Sequence, residues 1–66
     1  MRIEKLSSRE LEVMSGIAEG LRSKQIAHRL SISTTTVQAH RRNILKKMGA
    51  KNSISAVTMG WRKGLI

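Results

Sequence analysis

The sequence predicts an all-α domain of four helices, and three observations carry that expectation. Apolar residues recur at helical spacing behind serine and asparagine capping signals. Glycines stand where the apolar stripes stop, and no proline interrupts them. No stretch alternates apolar and polar residues with period two for long enough to argue a strand. The 66 residues form one small domain without internal repeat or low-complexity segment. A chain of this size buries only about 60% of its unfolded surface.

Ser7-Ser8-Arg9-Glu10 has the form of a capping box. The Ser7 hydroxyl accepts from the Glu10 amide, and the Glu10 carboxylate accepts from the Ser7 amide. Leu6 and Leu11 stand at the two positions of a hydrophobic staple. Val13, Met14 and Ile17 carry the buried stripe of this first helix, and Gly20 is its expected left-handed stop. Gly16 inside the helix costs about 1 kcal/mol against alanine; close packing is one reason for a glycine there. Ser23 is expected to cap the second helix, with Ile26, Ala27 and Leu30 inward. The turn Ser31-Ile32-Ser33 follows, with Ile32 between the helices. Ser33 caps a third helix that runs to Met48 and stops at Gly49. Asn52 or Ser53 starts a fourth, with Ala56, Val57 and Gly60 inward and an end near Gly64. Met14, Met48 and Met59 read as core filler or surface.

Charge is distributed unevenly. Thirteen Lys and Arg against 4 acids give a formal net charge of +9, and Glu4, Glu10, Glu12 and Glu19 are all the acids. From Gly20 onward no side chain carries a carboxylate, while basic residues accumulate. Such a surface attracts a polyanion; the plainer reading is a soluble basic surface. The chain has no Cys, which excludes a disulfide, a thiolate metal site and a thiol nucleophile. No run approaches the ~20 apolar residues of a membrane span. Met1-Arg2-Ile3-Glu4-Lys5 lacks the apolar core of a signal peptide, so an intracellular protein, or a piece of one, is expected. A nucleophile–base–orienter set would need a carboxylate beside His28 or His40. All four glutamates lie in the first helix region and there is no Gly-rich phosphate cradle, so no enzyme is expected. With neither Cys nor Asp beside them, the two histidines make no metal site, and no cofactor is expected.

The third helix has two faces. At about 100° per residue, Val37, Ile44 and Met48 fall on one side, and Thr35, Gln38, Ala39, Arg42 and Lys46 fall on the other. The far face offers an amide, a guanidinium and an ammonium around one small residue. A helix lying deep in a major groove needs that mixture: hydrogen-bonding tips for base edges, and no bulk where the backbone approaches.

Several spaced motifs in one order then resemble a known family. Leu6-Ser7-Ser8-Arg9-Glu10, Glu12-Val13-Met14 and Ala18-Glu19-Gly20 are similar to the opening of the LuxR/FixJ/NarL-type helix-turn-helix domain. Lys24-Gln25-Ile26-Ala27, Leu30-Ser31-Ile32-Ser33 and Thr36-Val37-Gln38-Ala39-His40 resemble its central pair of helices. Asn43-Ile44, Lys47-Met48-Gly49 and Ala56-Val57 resemble the rest. The match runs from Leu6 to Ile66. It implies a bacterial transcription-factor domain with a three-helix core, whose third helix enters the major groove of double-stranded DNA. The fourth helix is then a dimerisation helix, giving a homodimer on an inverted repeat. Base readers would be Gln38, Ala39 and Arg42. Phosphate contacts would come from Lys24, Ser33, Thr35, Thr36, His40, Arg41 and Lys46, and the dimer interface from Ile54, Thr58 and Trp61. RNA polymerase is a further expected contact, a membrane is not, and the location is the cytoplasm, at the bacterial nucleoid.

The chain departs from the family pattern in places. Ser23-Lys24-Gln25 stands where Asn-Lys-Glu is frequent, and Ser53 where Arg is frequent, which removes an ion pair. Gln38 replaces a frequent Lys. An amide favours adenine edges and a lysine favours guanine, so no operator sequence carries over. Some roles stay open at this level. Thr34, Thr35 and Thr36 either support the helix start or meet phosphate. His40, at the edge of the buried side, is a hydrogen-bonded structural histidine or a phosphate contact. Trp61, with Ile54 and Thr58 along the border of the inner face of the fourth helix, packs over the core or enters a dimer interface; the resemblance favours the interface. Competing functions are non-specific RNA or single-strand binding, and a basic amphipathic module on an acidic membrane or protein surface. The chain lacks Asp and carries no aspartyl phosphoacceptor. A two-component response regulator would therefore place its receiver upstream, with this chain as the C-terminal output domain.

Overall fold

Among the described residues four helices follow one another: α1 (Ser8–Ala18), α2 (Ser23–Leu30), α3 (Thr34–Met48) and α4 (Ser53–Arg62). This computed structural model describes residues 5–66. The readings that involve Met1 to Glu4, the absent signal-peptide core among them, lie outside the described residues. No strand occurs among the described residues, as the missing period-two alternation predicts.

Each helix starts where a side chain satisfies free backbone amides. The capping box of α1 forms: the Glu10 amide donates to Ser7 Oγ at 3.1 Å, and the Ser7 amide donates to Glu10 Oε1 at 2.8 Å. Ser33 Oγ accepts from the Thr36 amide at 3.0 Å, and Asn52 Oδ1 accepts from the Ser55 amide at 2.9 Å. Asn52 is therefore the cap of α4 and Ser53 its first residue. The expected Ser23 cap is not found. The cap position is Arg22, whose side chain has no acceptor to offer. Gln25 Oε1 instead accepts from the Arg22 amide at 2.8 Å, and the Ser23 hydroxyl is free for another partner.

All four helices end alike. The amides of Leu21, Ile32, Ala50 and Leu65 donate back to the carbonyls of Gly16, Ala27, Leu45 and Gly60. This closure needs a left-handed residue just past the helix. Glycine provides it after α3 at Gly49 (φ 65°), whereas Ser31 (φ 57°) provides it in the turn between α2 and α3. A side chain in that region costs about 1–2 kcal/mol, so the turn is held by its surroundings. The partly buried Ile32 beside it packs against the core.

The core is built from Leu6, Val13, Met14, Ile26, Ala27, Val37, Ile44, Met48 and Ala56, with every helix contributing. Each fully buried Val, Ile or Met among them contributes on the order of 1.5–3 kcal/mol. α1 and α3 each pack against all three other helices, while α2 and α4 do not touch one another. Two glycines permit the closest approaches. A Cβ on Gly16 would stand 2.8 Å from Ile26 Cγ1, and one on Gly60 would stand 2.6 Å from Met14 Sδ. The close packing that would explain Gly16 is therefore present, between α1 and α2.

Candidate nucleic-acid interface

α3 is anchored by burial and its polar side is left outside. Val37, Ile44 and Met48 are at most 1% exposed, which fixes the rotation of the helix about its axis. Thr35, Gln38, Arg42 and Lys46 are consequently exposed, and the small Ala39 is half-buried among them. The structure thus brings the expected base-reading set together on one face of one helix. Lys24 of α2 is exposed as well.

At the start of α3, Ser33 and Thr36 are exposed and share a hydroxyl–hydroxyl hydrogen bond of 2.8 Å. Ser33 and Thr36 therefore support the helix start, and Thr35 leaves its hydroxyl exposed beside them. His40 is half-buried at the flank. Arg41 is half-buried too, and its guanidinium donates to Ser23 Oγ at 3.0 Å and to Ser53 Oγ at 2.8 Å. Of the expected phosphate set, it alone reaches both neighbouring helices.

Among the described residues the carboxylates, Glu10, Glu12 and Glu19, are engaged elsewhere than on this face. Glu19 pairs with Arg29 at 2.8 Å, joining the end of α1 to α2, and Arg9 pairs with Glu12 at 3.5 Å. The hydrogen bond from Arg29, then its charge, holds the Glu19 carboxyl below its ordinary value. Glu10 is buried behind α3 and pairs with Lys47 at 2.8 Å. Burial pushes the Glu10 carboxyl up. Hydrogen bonds from Lys47 and Ser7, together with the Lys47 charge, push it further down, so it lies below its ordinary 4.5. Among the described residues no ion pair engages Lys24, Arg42 or Lys46. The outer face of α3 therefore offers uncompensated positive charge.

Sequence reasoning missed the Glu10–Lys47 pair and the Arg41 contacts. A signal for the first was present: Lys47 precedes the buried Met48 and lies three residues after the buried Ile44, at the border of the packed face. On α4, Ile54 is 80% and Trp61 74% exposed, and Thr58 between them is exposed. They were expected along the border of the inner face. Instead Ala56 and Gly60 fill that face and leave them outside, so Trp61 does not pack over the core. Among the described residues no group of acidic or His side chains is arranged to hold a metal ion. No described helix is long and apolar enough to cross a membrane.

A short helix braced across a three-residue turn against a longer one with a bare polar face defines a helix-turn-helix domain. Residues 4–60 match the GerE family, described as bacterial regulatory proteins of the luxR family. The chain belongs to this family, whose members are DNA-binding transcription regulators and not enzymes. It is 43% identical over 63 residues to the transcriptional regulatory protein FixJ of Rhizobium meliloti (strain 1021), covering 96% of this chain and 31% of that protein. It is 41% identical over 61 residues to the oxygen regulatory protein NreC of Staphylococcus aureus (strain JH9), covering 92% of this chain and 28% of that protein. The crystal structure of the response regulator ChrA, from a heme-sensing two-component system, superposes with a TM-score of 0.90 at 35% identity. That likeness covers 100% of this chain and 33% of the ChrA chain. The chain thus spans about a third of the length of the relatives it matches.

Proposed function

We propose that this domain binds duplex DNA sequence-specifically, as a dimer on an inverted repeat, with α3 in the major groove. One observation carries the reading: the helix whose inner side is locked into the core presents Gln38, Arg42 and Lys46 to solvent with no carboxylate paired to them among the described residues. Gln38 and Arg42 reach base edges, and Ala39 lets the backbone come close. Lys24, Lys46, His40, Ser33, Thr35 and Thr36 hold phosphates and set the register. Ile54, Thr58 and Trp61 pair across a two-fold axis, which sets two α3 helices about 34 Å apart. The domain acts as the output part of a longer regulator, as its share of the relatives' length supports, and its DNA target places it in the bacterial cytoplasm.

A single-strand or RNA binder relies on aromatic platforms for stacking. Trp61 is the only Phe, Tyr or Trp of the chain and stands on α4, not on the basic face of α3. A membrane-bound module needs its apolar helix faces free for lipid, and here those faces form the core. Competition among duplex DNA, RNA of the same sequence and anionic vesicles tests the choice. Duplex is expected to displace both, with log affinity falling by about 0.9 per phosphate for each unit of log salt. Preferential capture by RNA or by vesicles would overturn the reading.

A further inference from the structure

Arg41 and Arg42 are neighbours in sequence but not in role. Arg41 lies four residues beyond Val37 and three before Ile44, both fully buried. On the helix circle it stands about 40° from Val37, whereas Arg42 stands about 140° away. Arg41 therefore leaves α3 from the border of the packed face. Its two terminal nitrogens are engaged with the hydroxyls of Ser23 and Ser53. These serines are the first residues of α2 and α4, the two helices that make no contact with each other.

The position matters mechanically. α2 and α3 share the turn Ser31-Ile32-Ser33 at one end. Ser23 is the residue of α2 farthest from that turn, and Arg41 stands about two turns into α3, on the order of 10 Å along each axis. The Arg41–Ser23 bond thus ties the open end of the helix pair, while the Arg41–Ser53 bond ties α4 to the same point. The geometry points to Arg41 as a positioning residue: a forked brace that sets the angle at which α3 is offered to DNA and the placement of α4 beside it. Base and phosphate contact are left to its neighbours. The inference rests on the duplex-binding reading above.

A brace and a phosphate contact respond differently to substitution. At a phosphate contact lysine still supplies a point charge in place of arginine, so part of the affinity and the salt slope are kept. Two hydroxyls on different helices need the planar fork, which a single ammonium does not supply. The unaltered chain, Arg41→Ala, Arg41→Lys, Ser53→Ala and the Arg41→Ala/Ser53→Ala double variant are titrated across salt with a selected and a scrambled duplex. Arg41→Ala is expected to lower the affinity ratio between the two duplexes by ~2- to 30-fold while keeping the salt slope. Arg41→Lys is expected not to restore the ratio. Ser53→Ala, which leaves every charge in place, is expected to shift it in the same direction, and the double variant to be no worse than Arg41→Ala. The brace is overturned if Arg41→Ala loses about 0.9 of salt slope with the ratio unchanged, if lysine restores binding, or if the two substitutions add in full. Should Arg41→Ala fail to fold, Arg41→Lys and Ser53→Ala decide by the same criteria. An unaltered chain that does not distinguish the duplexes refutes specific binding instead, and retention or loss of salt slope then decides the brace.

Discussion

Arg42 is directed outward because Val37 and Ile44, on the same helix, are locked into the core. With no carboxylate paired to it among the described residues, its guanidinium is free to take a guanine edge bidentately. Replacing Arg42 by Ala is expected to cost about 1–3 kcal/mol of binding and to relax preference at one base position; an equal loss on every duplex would make it a phosphate contact. Glu10 illustrates the opposite situation, a charge held inside. Glu10→Gln keeps an acceptor for the Ser7 amide and removes the pairing with Lys47, so a loss of about 1–3 kcal/mol of stability is expected. The folded Glu10 carboxyl lies below its ordinary value, so the unfolded chain binds the proton more readily. The stabilisation is then complete above pH ~4.5 and is lost as the pH falls through the folded value. Denaturation of both chains at pH 7 and pH 3 checks this: the gap between them should narrow in acid, and a constant gap would contradict the pairing. Gln38 and Arg42 were legible in the sequence because helical periodicity alone decides what faces outward. Lys47 and Arg41 were not, because their roles depend on which other helix passes nearby, and no local pattern states that.

At the scale of the element, helix starts and stops were written in local chemistry. The caps at Ser7, Ser33 and Asn52 and the left-handed stop at Gly49 each involve residues within one turn. The start of α2 was misplaced because a serine in a plausible cap position is a weak signal when a glutamine inside the helix fixes the start one residue earlier, by accepting from the Arg22 amide. Ser23 is instead taken up by a contact spanning 18 residues. Where helices meet, the two buried glycines separate packing from propensity. Gly16→Ala gains up to about 1 kcal/mol of helix propensity, but its Cβ meets the stiff, branched Ile26 at 2.8 Å. Overpacking costs about 1–3 kcal/mol, so a net loss of stability is expected. Gly60→Ala meets Met14 Sδ, a flexible thioether that can change rotamer, and is expected to cost less. Chemical denaturation of the two variants gives the ranking; the reverse order would contradict this account of the α1–α2 and α1–α4 contacts.

At the scale of the whole molecule, the acidic residues all lie between Glu4 and Glu19, on α1 or flanking it in sequence, and the cations without a carboxylate partner among the described residues are concentrated from Arg22 onward. The domain is thus polarised for approach to a polyanion. The Ile54–Thr58–Trp61 stripe belongs to a helix of 10 residues, about 15 Å long. One face of it is too short to bury the ~1,200 Å² of a stable protein interface. The chain is therefore expected to sediment as a monomer alone at micromolar concentration and as a pair on a duplex carrying an inverted repeat, with Ile54→Ser or Trp61→Ser abolishing the pair but leaving half-site binding. A stable dimer without DNA would show that this stripe is not the main contact. The central claim is that α3 reads duplex sequence through its outer face, and selection of bound duplexes from a random pool tests it most directly. The account predicts enrichment of an inverted repeat whose half-sites lie about one helical turn apart, with the preference at one position lost for Arg42→Ala. A pool that emerges unenriched, or an identical enriched motif for the unaltered and Arg42→Ala chains, would contradict it.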